Sequence, residues 1–324
     1  MAVRQGELRP AVMQRVRTQP LLRYATGAFA LTSFGIIFLM LLFLLAYAFP
    51  AIRFNGTAFF TSPIWNIGNQ YGSATVTRAG FTAQAGASFG SLVFVSGTLL
   101  SSFLAMIAAV PLSLLVALAI VYRVPASLKP LANAVVELMA GVPSVIYGLW
   151  GMIVLVPFIG NRLSPTGSGD GLLAATLILA LMVVPIMVAT TRDVVQAQQA
   201  SIYEASMALG STSWQAVTRA VLPSVRSGIA GSVLLAFGRA LGETMAVLMV
   251  CGAAINTLPH GIFSPINTIA AVIVSQLESA LTDASGMAQR SLGELALALF
   301  VITLIVNAVA RIVLHGGDRS GAIG

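Results

Sequence analysis

The chain has 324 residues, of which 57% are hydrophobic and only 8% charged, a balance that excludes a water-soluble surface and places it in a membrane. Its formal net charge of +7 comes from 17 Lys and Arg residues, all arginine but Lys129, set mostly in short loops beside apolar runs. That placement fits contact with membrane lipid and orientation of the chain, and excludes the basic, aromatic-lined face of a nucleic-acid binder. One cysteine, Cys251, allows no internal disulfide, and with His260 and His315 it gives no metal-ligand spacing.

Residues 1–26 form an Arg-rich tail expected in the cytoplasm. Runs of about 20 apolar residues, enough to cross a hydrocarbon core of about 30 Å, follow at 27–50, 92–121, 131–157, 171–191, 229–254 and 295–314. The fold class expected is therefore an all-α integral membrane protein with six transmembrane helices. The first run, "GAFALTSFGIIFLMLLFLLAYAF", outlasts the roughly 7–15 apolar residues of a secretory signal and reads as a retained helix, although Ala46-Tyr47-Ala48 resembles a cleavage site.

Segment 51–91 reads as an outer loop rich in Thr, Ser, Gly and Asn, and its Asn55-Gly56-Thr57 sequon is too short a motif to carry weight. In the third run Gly141-Val142-Pro143 predicts a kink, which serves either packing or a pathway. Glu137 near its inner end is expected to snorkel or pair, and Arg192 with Asp193 is expected at the inner interface of the fourth.

Between the fourth and fifth runs lies "SIYEASMALGSTSWQAVTRAVLP", residues 201–223. Ser201 and Glu204 have capping-box spacing, Gly210 suits a helix C-terminus, and Thr212 with Gln215 can cap a second helix running to Pro223. Two short helices with an elbow are predicted. Tyr203 and Met207, four apart, share a face that either fills a groove on a partner or packs back on the bundle.

The fifth run carries Arg239 and Glu243 near its middle, where a charge costs about 2.5–3.5 kcal/mol. Their i,i+4 spacing places them on one helix face, beside a ridge of Gly238, Gly242 and Ala246 that admits a close neighbour. One role is an internal ion pair, although Arg before Glu is the weaker order. The other is anion handling, for which Arg offers a fork of donors matched to oxyanions. In 255–294 the apolar "PINTIAAVIVSQLESA" is too short to span and reads as a re-entrant or interfacial helix. Segment 315–324 returns to the side of the N-terminus, since twelve basic residues fall in inner segments against four in outer ones.

Lys129, in "ASLKP", cannot serve a P-loop, and no strand-bound G-x-G-x-x-G or nucleophile–base pair is present. The chain is expected to be no enzyme and to hold no cofactor.

Glu204-Ala205-Ser206, three residues, Gly210, then Leu222-Pro223 resembles the EAA loop of ATP-binding-cassette importer permeases. "FGSLVFVSGTLLSSFLAMIAAVPLSLLVALAI" (89–120), "ELMAGVPSVIYGLWG" (137–151), "GRALGETMAVLMVCG" (238–252) and "TLPHGIFSP" (257–265) look like phosphate-specific permease subunits of the PstC type. The resemblance implies a type I importer (MetI-like) permease core over 92–314 with the 27–50 helix added. It implies a coupling helix bearing Tyr203, Glu204, Ala205, Met207 and Gly210, and a substrate pathway through Arg239 and Glu243. It further implies a PstA-type second permease, two copies of a PstB-type ATPase holding ATP and Mg, a periplasmic PstS-type binding protein, inorganic phosphate as cargo and a bacterial inner membrane. A secondary anion transporter or channel without ATP is the alternative from another class.

Overall fold

In the computed structural model, residues 20–70, 72–197 and 200–319 are described; residues 1–19 of the expected tail 1–26 lie outside them. Helix α1 (Pro20–Asn55) carries the first apolar run, and none of its most apolar window is buried in the protein, so it lies at the edge of the bundle. The outer loop then forms a short helix α2 (Ala58–Thr61) and four strands, β1 (Trp65–Asn66), β2 (Thr75–Arg78), β3 (Phe81–Gln84) and β4 (Ser88–Phe89). Strand β1 pairs antiparallel with β4, and β2 with β3. The β2–β3 turn places both Ala79 and Gly80 at positive φ, the signature of a type I′ hairpin.

Helix α3 (Leu92–Tyr122) is the second span. The third run does not form one kinked helix. Helix α4 (Lys129–Gly141) ends where Val142 is extended and Pro143 offers no N–H, and a new helix α5 (Ser144–Trp150) starts there, passing through a π turn at Gly151–Leu155 into α6 (Val156–Arg162). The span is thus Ser144–Arg162, shifted outward from the expected 131–157.

Helix α7 (Leu172–Ala197) is the fourth span and the centre of the bundle, with 67% of its apolar window buried. It packs most extensively on α3. Hydrocarbon offers no hydrophobic drive between helices, so close packing must hold them. Accordingly, Ala105, Ala109, Ala174, Ala175, Ala236 and Ala240 are buried around Ile178 and Met182.

Next come α8 (Ala200–Ala208), α9 (Ser213–Gln215), a π segment at Ala216–Val221 and α10 (Leu222–Ser224). Helix α11 (Arg226–Leu241) leaves this segment at 72°. Its 16 residues rise about 24 Å, short of a full crossing. The fifth run therefore differs from the unbroken helix expected over 229–254: it stops at Gly242 and resumes as the short α12 (Met245–Leu248). Among the described residues five helices are long and apolar enough to span alone, and there are six if the bent pair is taken as one span.

Helix α13 (Ile269–Leu281), capped by the Thr268 hydroxyl accepting from Ala271 N, is the short apolar helix anticipated in 255–294, and α14 (Met287–Arg319) is the last span. At the end of the bundle that carries the β-strands, Phe54, Phe59, Trp65, Phe94, Ile269 and Leu295 form a second core. There water is near, and burying each large side chain contributes about 1.5–3 kcal/mol. Asn55 Nδ2 donates to Glu294 Oε2 at 2.8 Å, tying α1 to α14 and burying the asparagine of the sequon.

Candidate transport pathway and coupling surface

Arg239 occupies the last turn of α11, where the helix C-terminus favours a cation. Its side chain is exposed and lines a groove of about 850 Å³ between α7, α11 and α14, together with Gly231, Gly238, Thr303, Asn307 and Arg311. Among the described residues, no carboxylate lines it. Glu243 lies past the helix end, is only 9% exposed, and its Oε1 accepts from Ala246 N at 3.4 Å at the start of α12.

The break at Gly242 overturns the shared helix face expected for Arg239 and Glu243, and the two make no ion pair with each other. It also splits the expected small-residue ridge. A methyl at Gly238 would meet nothing within 4 Å, and at Gly242 it would meet only backbone oxygens of Gly238 and Arg239, at 3.7 and 3.9 Å. Only Ala246 packs tightly on another helix, where a Cβ on Gly148 would come within 2.8 Å of its Cα.

Thr303, Asn307 and Arg311, at i, i+4 and i+8 of α14, were not among the expected pathway residues. Arg311 is one of the twelve basic residues assigned to inner segments. The polar stripe within an apolar run was the available signal. At the inner end Glu137 is paired, with Arg192 Nη2 at 3.4 Å. Arg192 itself is buried at 8% exposure, and its Nε and Nη2 donate to Asp193 Oδ1 at 3.0 and 2.9 Å.

The 201–223 segment has the predicted elbow. Gly210 N donates to Met207 O, Ser211 N donates to Ser206 O, and Gly210 sits at φ +87°, which together make a Schellman C-cap. Thr212 and Gln215 form a reciprocal capping box. The other expected box rests on the Ser201 side chain, which lies outside the described residues. Tyr203 turns inward: its ring centroid is 4.9 Å from that of Tyr122, and its hydroxyl donates to Ser213 Oγ at 3.1 Å. It therefore does not share an outward face with Met207. Glu204, Ala205 and Met207 are exposed, and so are Leu209 (88%) and Trp214 (62%), two apolar side chains that the spacing argument did not single out.

Residues 109–316 match the family described as "Binding-protein-dependent transport system inner membrane component". Proteins named "Phosphate transport system permease protein PstC 1" from Mycobacterium bovis and Mycobacterium tuberculosis are each 45% identical over 282 residues, 82% of this chain and 83% of theirs. The PstC of Pasteurella multocida is 37% identical over 245 residues, 70% of this chain and 75% of its own. A solved chain of the MetNI methionine ABC transporter, in an inward-facing conformation, aligns with a TM-score of 0.52 at 18% identity, covering 70% of this chain and 94% of that one. That likeness concerns the fold alone. On the family match and the identity to these relatives, this multi-pass membrane chain belongs to the PstC-type permeases of binding-protein-dependent transport systems.

Proposed function

We propose that this chain carries inorganic phosphate inward across a bacterial inner membrane by alternating access, with both termini cytoplasmic. A PstS-type protein delivers the ion outside, a PstA-type permease completes the path, and two PstB-type subunits bind ATP and Mg and supply the energy. This chain contributes the path and a lever.

The observation that carries this reading is Arg239: an exposed guanidinium in a span, on a groove that no carboxylate among the described residues lines, and unpaired with Glu243. Against lipid such a group is costly. A second permease closing the groove would replace lipid with a polar path, in which the guanidinium fork offsets the desolvation of phosphate oxygens. Buried Glu243, four residues on, keeps the local field from holding phosphate too tightly to release it. The lever follows from continuity, since the α8–α10 segment bends directly into α11 and a push on its exposed Leu209 and Trp214 would turn the helix that bears Arg239.

The test is uptake of labelled phosphate, normalised to assembled complex in the membrane. Arg239→Gln keeps polarity and approximate length but removes the charge, so the complex should assemble at near-normal level while uptake collapses. Glu243→Gln should impair uptake less severely. Normal transport by Arg239→Gln would refute the pathway role, and loss of the complex would favour a scaffold role. Uptake that persists without a functional ATPase would favour the secondary transporter.

A further inference from the structure

We infer that a groove between α1 and α14, at the end of the bundle that carries the β-strands, holds one phospholipid with a primary ammonium headgroup, and that this ammonium pairs with Glu294. The site is separate from the phosphate path past Arg239 and does not depend on it.

The groove has a volume of about 590 Å³ and mostly apolar walls, among them Ile52, Phe60, Leu297, Val301 and Ile305. Glu294 is the only charged residue among the described ones that line it. Its depth follows from the sequence: Glu294 immediately precedes the apolar run 295–314 of α14, and the lining residues Ile52, Gly56 and Thr57 come just after the apolar run 27–50 of α1. The carboxylate therefore stands where hydrocarbon gives way to headgroups. From there the lining residues of α14 continue to Ile305, eleven residues on, a rise of about 16 Å. That is half of a hydrocarbon core of about 30 Å, so the groove is one leaflet deep.

Glu294 is only 5% exposed, and the donor it has, Asn55 Nδ2 at 2.8 Å from its Oε2, is neutral. The same amide nitrogen also lies 3.4 Å from Ser291 Oγ. A carboxylate can accept about four hydrogen bonds, and withdrawn from water it needs a counter-charge as well as donors. A primary ammonium supplies both, because it presents three N–H donors on a compact cation. A quaternary choline headgroup has no N–H to donate, and a headgroup of net negative charge is repelled. Charge thus selects among lipids whose chains fit the groove equally well, with one chain lying along Leu297, Val301 and Ile305.

The test supplies the purified complex, in detergent, with equal amounts of phosphatidylethanolamine, phosphatidylcholine and phosphatidylglycerol of identical chains, and measures the tightly retained lipid by mass spectrometry. The wild type should retain phosphatidylethanolamine about tenfold over phosphatidylcholine, the worth of one charge-assisted hydrogen bond. Glu294→Gln keeps its size and an oxygen that accepts from Asn55, so a merely structural tie between α1 and α14 survives in it. The preference should nevertheless fall to about one. Val301→Trp, which fills the groove away from the Asn55 bond, should lower tightly held lipid of every kind.

An unchanged preference in Glu294→Gln would overturn the pairing and leave the carboxyl as a partner of Asn55 only. Wild-type retention led by phosphatidylcholine or phosphatidylglycerol, or no retained lipid at all, would overturn the site. If Glu294→Gln fails to assemble, Val301→Trp decides: phosphatidylethanolamine held there at the wild-type level lies outside this groove, which also overturns the site, and its loss supports it.

Discussion

Gly148 sits at the contact between α5 and the segment beyond the Gly242 break. A Cβ there would lie 2.8 Å from Ala246 Cα and 2.9 Å from Met249 Sδ, and the first of these neighbours is backbone that cannot swing away. Gly148→Ala should therefore cost about 1–3 kcal/mol by overpacking, read as a lower midpoint for thermal unfolding of the purified complex. Gly27→Ala, where nothing lies within 4 Å, should leave the midpoint unchanged or slightly raised. An unaltered midpoint in Gly148→Ala would mean that the two helices can part without loss. The same contact marks how far the sequence could be read at this scale. The place of Arg239 in the fifth apolar run was legible from hydropathy, but its relation to Glu243 was inferred from i,i+4 spacing, which presumes an unbroken helix. Gly242 ends that helix, and the tertiary fit of Gly148 on Ala246 holds the chain beyond it, a contact 98 residues apart in sequence that no local pattern encodes.

At the scale of elements, the 201–223 segment was the most legible part, because its signals are local. Gly210 at φ +87° and the Thr212–Gln215 box specify an elbow whatever surrounds it. Gly210→Pro removes the N–H that bonds Met207 O and forbids the left-handed backbone, so α8 and α9 should lose their relative orientation. The expected result is loss of ATPase co-purification or of phosphate-stimulated ATP hydrolysis; normal values of both would detach this segment from coupling. Which side chains face outward was less legible, since it depends on the aromatic contact of Tyr203 with Tyr122 from a distant helix. With Tyr203 turned inward, Trp214 becomes the large exposed anchor, and central aromatic anchors carry much of an interface's affinity. Trp214→Ala should weaken ATPase retention during purification by about tenfold or more, whereas Tyr203→Phe, which loses only the bond to Ser213, should weaken it little.

For the whole molecule, six crossings were legible because long apolar runs have few other uses, while the fifth crossing is composite because its helix is short and its partner segment lies at 72°. Orientation rests on a different signal. With the N-terminus inside, twelve basic residues fall in inner segments and only Arg53, Arg78, Arg162 and Arg290 in outer ones, the distribution expected when Arg-rich loops are retained on the cytoplasmic side. The fold is consistent with this assignment: Arg53 and Arg78 lie by the β-strands and aromatic core that cover one end of the bundle, whereas Arg192 and Arg219 lie by the elbow at the other. A topology reporter inserted at Gly72, between β1 and β2, should therefore read periplasmic, and one fused after Gly324 should read cytoplasmic. A cytoplasmic reading at Gly72 alone would mean that an even number of crossings separates the two sites, so that one of the five later spans, the composite fifth first, does not cross. Opposite readings at both sites would invert the molecule and place the elbow outside, beyond reach of any cytoplasmic ATPase. Moving the basic residues offers an independent check. Because short inner segments dominate orientation, replacing Arg15, Arg17 and Arg23 with Gln while adding arginines beside Gly72 should shift part of the population to the inverted form, seen as mixed reporter signals at both sites.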